Sequence, residues 1–249
     1  SLTGFDCILG TMSISVFFPC YNDENTIGGL VEDAIETLKT ITDDFEVIVI
    51  EDHSADNSKK VLLDLLKKYP KEFRPVFHEK NMGYGGVLRR GFKEAKKDLV
   101  FYTDGDGQYD VKELPILYAL MTKDVNFVNG IKMERQDFVY RVIIGNFYAL
   151  IMRWAFMLPI YDVDCDFRLI RRSIIDKLNL KSSSGSICVE LVKKSQRAGA
   201  KYRQVSVHHY PRKFGSSQFF NVSRLLQTFK ELSLLWWDLM VKEKVHADK

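Results

Sequence analysis

The chain has 249 residues, 46% of them hydrophobic and 28% charged, the composition of an ordinary globular protein with room for one substantial core. Its formal charge of +3 is too weak a bias to mark a nucleic-acid binder, which carries a concentrated basic stripe. The four cysteines, Cys7, Cys20, Cys165 and Cys188, show no C-x-x-C spacing, so neither a disulfide framework nor a zinc site is indicated, and reduced thiols in a cytosolic setting are the simplest expectation.

Residues 1–12 lack the basic start of a signal peptide and read as a tag or disordered leader, with Met12 placed to be the natural start. "SISVFFPCYN" has the β-branched and aromatic content of a strand ended by Pro19, and "DDFEVIVIEDHSADNS" repeats the form. Both runs are continuously apolar rather than alternating, which predicts strands covered on both faces, as in a parallel sheet. Between them Ile27, Leu30, Val31, Ala34, Ile35 and Leu38 follow a helical spacing, with Asn25 or Thr26 placed to cap it. Val61, Leu62, Leu65 and Leu66 mark a second helix before Pro70, capped by Asp56, Asn57 or Ser58. A short strand near "PVFHE", a glycine-rich turn, a helix over about 86–96 and the strand "DLVFYTD" complete a β-α-β-α-β-α-β series. That order predicts an α/β fold with a mostly parallel central sheet flanked by helices.

Beyond residue 125 come the strand "VNFVNGIK", an apolar helical segment around 140–158, the segment "DVDCDFRLIRRSII" with no assigned element, a helix near 186–198, and the strand "KYRQVSVHHYP". "FYALIMRWAFMLPIY" is interrupted by Arg153 and falls short of the roughly 18 apolar residues of a membrane span. The tail sets Phe219, Phe220, Leu225, Leu226, Phe229, Trp236 and Trp237 against Lys and Arg, a pattern that suits a membrane interface or packing on the core or a partner subunit.

Ligands of such sheets bind outside the carboxyl ends of the strands, so Pro19–Glu24, Glu51–Asp56 and Asp104–Asp110 should share one rim. In "TDGDGQYD", Asp104 and Asp106 repel one another unless they turn toward a hard divalent cation such as Mg²⁺ or Mn²⁺; the alternative is a solvated Asp-Gly turn, with Asp110 starting the next helix. Asp52, at the second strand end, is placed to accept from a ribose or base, while its neighbours cap the following helix. "NMGYGGVLRRGF" matches neither phosphate-loop pattern, so its glycines are assigned to a tight turn and close helix packing. No glycine fingerprint follows the first strand, which excludes a dinucleotide-binding dehydrogenase. His208 and His209 lie in a strand without a nucleophile pattern and are given packing or surface roles. "RLIRRS" and "HHYPRKFGSSQ" supply guanidinium groups that either clamp phosphates or lie on a solvated surface.

Taken in order, "VFFPCYNDENTI", "VIVIEDHSADNS", "YTDGDGQYDVKELP", "DVDCDFRLIRRS" and "HHYPRKFGSSQF" resemble glycosyltransferase family 2 over roughly residues 13–220, nearest the dolichyl- or polyprenyl-phosphate sugar synthases typified by dolichol-phosphate mannose synthase. The resemblance implies a GT-A nucleotide-diphospho-sugar transferase fold over 13–218, followed by an amphipathic C-terminal helix and tail over 219–249. It implies transfer of a hexose, with inversion, from a GDP- or UDP-linked sugar to an acceptor, either a polyprenyl phosphate or a glycan hydroxyl, with Mg²⁺ or Mn²⁺. It places Pro19, Tyr21 and Glu24 at the base pocket and Asp52 on the base or ribose. Asp104, Gly105, Asp106 and Gln108 match the metal and diphosphate motif, with Asp106 as the principal ligand. Glu190 would face the acceptor, and with Asp166 it is the candidate base for a hydroxyl acceptor. Arg212 would meet phosphates, and Gln218 stands where Lys is common. Lys132 replaces a frequent Arg, with Arg135 near it, and Asp166 stands where Gly or Ala is usual. Peripheral contact at the cytoplasmic face of a membrane and self-association through the last helix are the expected partnerships. A non-catalytic nucleotide-sugar-binding subunit is the competing expectation.

Overall fold

The computed structural model describes residues 12–133, 139–214 and 222–242. Three β-α units open the chain: β1 (Ile14–Cys20), α1 (Ile27–Lys39), β2 (Phe45–Glu51), α2 (Ser58–Lys68), β3 (Phe73–Phe77) and α3 (Gly83–Glu94). β4 (Leu99–Tyr102) follows, then a 3₁₀ turn at Val111–Glu113, α4 (Leu114–Leu120), β5 (Phe127–Met133) and α5 (Val139–Phe156). The remainder is β6 (Arg168–Arg171), the single-turn α6 (Arg172–Ile175), α7 (Ile187–Arg197), β7 (Tyr202–His208) and α8 (Val222–Trp236), which runs into a π-helical turn at Trp237–Lys242.

The strands form one sheet in the order β3-β2-β1-β4-β6-β5-β7. β6 alone runs against its neighbours β4 and β5, and the other pairings are parallel. The continuous apolar runs follow from coverage on both faces. Val16, Phe18, Val47, Val49 and Phe101 turn to a core shared with α1, α2 and α4. The residues between them, Phe17, Ile48, Ile50, Val100 and Tyr102, turn to a second core with α3, α5 and α7.

Two elements differ from the sequence expectation. The glycine-rich stretch is the first turn of α3 rather than a loop before it. A Cβ on Gly85 would lie 2.3 Å from the Ser182 carbonyl oxygen, so the glycine serves the close approach of helix and loop. "FRLIRR" holds β6, whose reversed direction swings Asp162–Phe167 onto the same rim as the ends of β1, β2 and β4. The caps also vary. Thr26 occupies the N-cap of α1, but its hydroxyl donates to the carbonyls of Asp23 and Gly105. Asp110 accepts the Lys112 N–H at 3.0 Å and starts the 3₁₀ turn.

α8 docks through buried Leu232 and through Trp236, whose indole N–H donates to the Ala155 carbonyl at the end of α5. Together α5, α8 and the residue that follows each expose Phe147, Leu150, Trp154, Met157, Leu226, Phe229 and Trp237, with Trp154 at 77% and Phe229 at 72% of full exposure. Phe219 and Phe220 lie outside the described residues. Among the described residues no helix is long and apolar enough to cross a membrane.

Candidate active site

β1 lies where the sheet order reverses, between β2 and β4, and the loops leaving these three strands meet there. The β1 and β2 loops are joined by reciprocal hydrogen bonds. Asn22 N–H donates to Ser54 Oγ at 3.0 Å, Asp23 N–H to Ser58 Oγ at 3.1 Å and Glu24 N–H to Asp56 at 3.0 Å. In return the N–H groups of Ala55 and Asn57 donate to Asn22 Oδ1 and Glu24 Oε2 at 2.9 and 2.8 Å. The β4 loop closes on the same corner because position 105 is glycine: a Cβ there would lie 2.3 Å from the Pro19 carbonyl oxygen.

On that rim Asp106 is buried, accepts the Gln108 N–H at 3.0 Å through one oxygen and pairs with the Arg212 guanidinium through the other. Arg212 is brought there by a two-bond link between the β4 loop and the chain leaving β7. Tyr210 N–H donates to the Gln108 carbonyl at 2.8 Å, and the Gln108 amide donates back to the Tyr210 carbonyl at 3.1 Å. Asp104 accepts the Tyr84 hydroxyl at 2.8 Å. Burial, then Asp166 and Asp106, push the Asp104 carboxyl well above the usual range. Asp106 is also raised by burial, with Arg212 opposing the rise. Burial and the nearby Asp106 raise Asp23 to about 6. Burial raises Asp164 to about 6 against the pull of Lys132, with Asp162 and Asp166 adding to the rise.

Beneath these acids Arg168 is fully buried. Its guanidinium donates to Asn129 Oδ1 at 2.8 Å, to the Tyr102 hydroxyl at 2.7 Å and to the Val163 carbonyl, and lies 3.5 Å from Asp166. Asp166 in turn accepts from the Tyr102 hydroxyl and the Cys188 thiol, each at 3.2 Å.

Several expected site residues are committed elsewhere. Asp52 is buried and accepts from His78 Nδ1 at 2.7 Å and from the Met82 and Gly83 N–H groups at 2.8 and 3.0 Å, so its carboxylate anchors the start of α3 rather than facing open space. Glu24 serves the joined loops, while Tyr21 is tied to the rim only by its backbone N–H, which donates to Asp23 at 3.1 Å and leaves its expected place at the base pocket untouched. Glu190 is not an acceptor-facing base. Its fully buried carboxylate accepts the N–H groups of Lys181 and Ser182 and pairs with Lys194 at 2.6 Å. Against the effect of burial, Lys194 and Ser182 hold its pKa below the usual range, the wrong direction for a base.

The "RLIRRS" clamp also fails. Arg168 is a buried support, Arg171 binds the carbonyls of Val125 and Thr122 at the opposite end of β6, and Arg172 pairs with Asp176. Lys132 is turned to the Asp164 carbonyl at 2.7 Å. His208 pairs with Glu113, and His209 packs edge-on to Tyr109. Arg135 and Gln218 lie outside the described residues.

Tyr84 and Cys188 carry no sequence signal of their own, because each reaches the site only through contacts between distant segments, whereas Asp23 falls in the first strand-end loop and Arg168 in the basic run, each without a mark of its role. Among the described residues no three His, Cys, Asp or Glu side chains form a closed metal cage. Asp104 and Asp106 nevertheless fit a hard divalent cation: two crowded carboxylate oxygen donors, both pushed toward protonation, are what Mg²⁺ or Mn²⁺ takes when phosphates and water complete its shell.

The model of the family described as Glycosyl transferase family 2 matches residues 15–178. An undecaprenyl-phosphate 4-deoxy-4-formamido-L-arabinose transferase of Yersinia enterocolitica is 24% identical over 206 residues, 83% of this chain and 62% of the relative. The enzyme of the same name from Yersinia pestis (strain Pestoides F) is 23% identical over 219 residues, 88% of this chain and 66% of the relative. The chain thus spans less than two thirds of the length of these curated relatives. Among solved structures, Mycobacterium tuberculosis glucosyl-3-phosphoglycerate synthase with Mn²⁺ and UDP-glucose superposes with a TM-score of 0.67 at 16% identity, covering 92% of this chain and 80% of the other. The same enzyme with Mg²⁺ and UDP gives 0.66 at 16% identity, covering 91% and 79%. These superpositions establish the fold.

Proposed function

The chain belongs to glycosyl transferase family 2, and from that premise we propose that it moves a hexose, with inversion, from a uridine or guanosine diphosphate sugar to a polyprenyl phosphate at a membrane surface. The observation that carries the reading is the pair Asp104 and Asp106 at the reversal point of the sheet, both raised by burial and by Asp166, Asp104 also by Asp106, and met by Arg212. A divalent cation bound by these two carboxylates would neutralise charge on the departing diphosphate. Tyr84 holds Asp104 in orientation. The joined β1 and β2 loops keep the rim in one shape, so little reorganisation remains for the moment of reaction. Arg212, on the segment leaving β7, brings positive charge to the same point and suits a phosphate of donor or acceptor.

A phosphate acceptor is already an anion and needs no general base. The commitment of Glu190 to the 181–182 backbone, and of Asp166 to the Tyr102 hydroxyl, the Cys188 thiol and Arg168, supports that acceptor over a hydroxyl, which would need a free carboxylate. The exposed aromatic and aliphatic face of α5 and α8 supports delivery of a polyprenyl chain from a bilayer interface. The curated relatives are named for transfer to undecaprenyl phosphate, which agrees.

The test is a thermal-shift panel of UDP- and GDP-sugars with and without Mn²⁺, on the native chain and on Asp106→Ala. At about 100 times Kd one nucleotide sugar should add about 2.7 kcal/mol, or about 5–10 °C in Tm. The gain should need Mn²⁺ and vanish in the variant. Product formed with polyprenyl phosphate, and not with a glycan hydroxyl, would complete the assignment. Failure of every donor to stabilise the protein would overturn it, and stabilisation without transfer to either acceptor would mark a nucleotide-sugar-binding subunit. Light scattering with and without vesicles separates membrane docking of the α5–α8 face from self-association through it.

A further inference from the structure

The segment Ser182–Ser186 is gripped by two carboxylates from different helices. Glu190 of α7 takes the N–H groups of Lys181 and Ser182 from one side. From the other, Glu231 of α8 accepts the N–H of Ser183 at 3.2 Å and of Ser184 at 3.1 Å, together with the hydroxyls of Ser183, Ser184 and Ser186 at 2.5, 2.8 and 2.7 Å. Five donors from one loop on a single carboxylate, with the Gln227 amide as a sixth at 3.2 Å, exceed what docking a surface helix requires.

The carbonyls of this loop face the start of α3. Ser183 accepts the Gly85 N–H at 3.0 Å, and Gly85 meets the loop so closely that no side chain fits between them. Lys181 accepts Arg89 at 3.0 Å one turn further on. Tyr84 precedes Gly85 and follows Gly83, whose N–H is held by Asp52 at 3.0 Å. The backbone of Tyr84 is therefore fixed on one side by Asp52 and on the other by the serine loop, and its hydroxyl ends on Asp104 at 2.8 Å. Close-packed contacts of this kind transmit displacement rather than absorb it.

We propose that Glu231 is a positioning residue for the diphosphate site: by holding Ser183, Ser184 and Ser186 it sets the start of α3, and through Tyr84 it sets the orientation of Asp104. The proposal rests on the reading of Asp104 and Asp106 as the cation and diphosphate site. It ties the amphipathic α8, remote in sequence from the β4 loop, to the chemistry at that loop.

The test measures Mn²⁺ affinity by electron paramagnetic resonance, in the presence of UDP or GDP, for the native chain, Glu231→Gln, Tyr84→Phe and the double variant. Tyr84→Phe removes the direct partner of Asp104 and should weaken Mn²⁺ binding about tenfold, as loss of an outer-shell hydrogen bond does. Glu231→Gln should weaken it several-fold, and the double variant should bind as Tyr84→Phe does, because both substitutions cut one line of contact. Ser184→Ala combined with Ser186→Ala is the gentler route should Glu231→Gln fold poorly. A metal-free readout accompanies these: with 3-fluorotyrosine incorporated, the ¹⁹F resonance absent from Tyr84→Phe should shift in Glu231→Gln. Native-like affinity and an unmoved Tyr84 resonance in folded Glu231→Gln would overturn the proposal, as would losses that simply add in the double variant. A shifted Tyr84 resonance, with Mn²⁺ binding indifferent to Asp106→Ala, would uphold the link from Glu231 to Tyr84 and overturn the assignment of the site.

Discussion

Asp23 gives the most direct measure of the strain that the acidic rim imposes. Its carboxylate accepts the Tyr21 N–H at 3.1 Å, and burial beside Asp106 moves its pKa from an ordinary 3.8 to about 6. At about 1.4 kcal/mol per pH unit, keeping this group ionised costs the folded protein about 3 kcal/mol at pH 7. Asn at this position keeps an acceptor for the Tyr21 N–H and removes the charge. Asp23→Asn should therefore be more stable than the native chain by about 3 kcal/mol at pH 7, or about 6–12 °C in Tm. The sign of the pH dependence follows from the raised value. Above pH 6 the carboxylate is ionised in both states and the penalty is whole. Between 6 and 3.8 the folded state takes up its proton first and the penalty fades, so native stability gains from this group as pH falls. Urea midpoints and Tm of both proteins at pH 7 and pH 4 check this, the gap between them being wide at pH 7 and closed at pH 4. A variant no more stable than the native chain at pH 7, or one whose advantage persists at pH 4, would refute the electrostatic account.

Arg168→Met should cost about 3–5 kcal/mol, because it leaves Asn129 and Asp166 without their buried partner; a urea midpoint shifted by less than about 1 kcal/mol would count against that role. Gly85→Ala forces a Cβ within 2.3 Å of the Ser182 carbonyl oxygen and should destabilise by about 1–3 kcal/mol, whereas Gly29→Ala, on an open face of α1, should stabilise by up to about 1 kcal/mol. Equal effects at the two positions, read from the same urea melts, would dismiss the close approach of α3 and the serine loop. UDP or GDP without Mn²⁺ should bind at least about tenfold more weakly than with it, since the diphosphate alone meets Asp104, Asp106 and Asp23 as like charges; calorimetry showing no metal dependence would remove the cation from the site.

The parallel half of the sheet is legible in the sequence because both of its faces are covered, which leaves unbroken runs such as "SVFFPC" and "VIVIE". β6 is not, since four residues that begin and end on arginine carry no period, and its strand character comes from pairing with β4 and β5. The start of α3 is missed because glycines that make a turn and glycines that admit a neighbouring backbone look alike in one dimension. Glu190 misleads for a geometric reason. Cys188 faces Asp166, and two residues further along a helix is a rotation of about 200°, which turns Glu190 away toward the 181–182 backbone. Asp52 sits at a strand end as expected, but the donors that claim it come from residues 78–83, beyond any local pattern.

The acids of the upper rim divide into two kinds by what meets their oxygens. Asp56, Glu190 and Glu231 gather backbone N–H groups, hydroxyls and a lysine, and for each these donors outweigh burial and lower the pKa, that of Glu231 to about 2. They are ionised, satisfied and spent on shape: one joins the β1 and β2 loops, and two grip the serine loop. Asp23, Asp104, Asp106 and Asp164 are buried beside other carboxylates instead, Asp23 by Asp106, Asp104 by Asp106 and Asp166, Asp106 by Asp166 and Asp164 by Asp162 and Asp166, and all four are raised. Each of Asp23, Asp104 and Asp106 keeps a donor, but these donors do not outweigh burial and the neighbouring carboxylates, and a fold gains nothing in stability from that crowding. Arg212 and Lys132 offset this only in part, so the rim holds its second group of acids at an energetic disadvantage that an added cation would reduce. The first group supplies the rigidity that prevents those acids from escaping it.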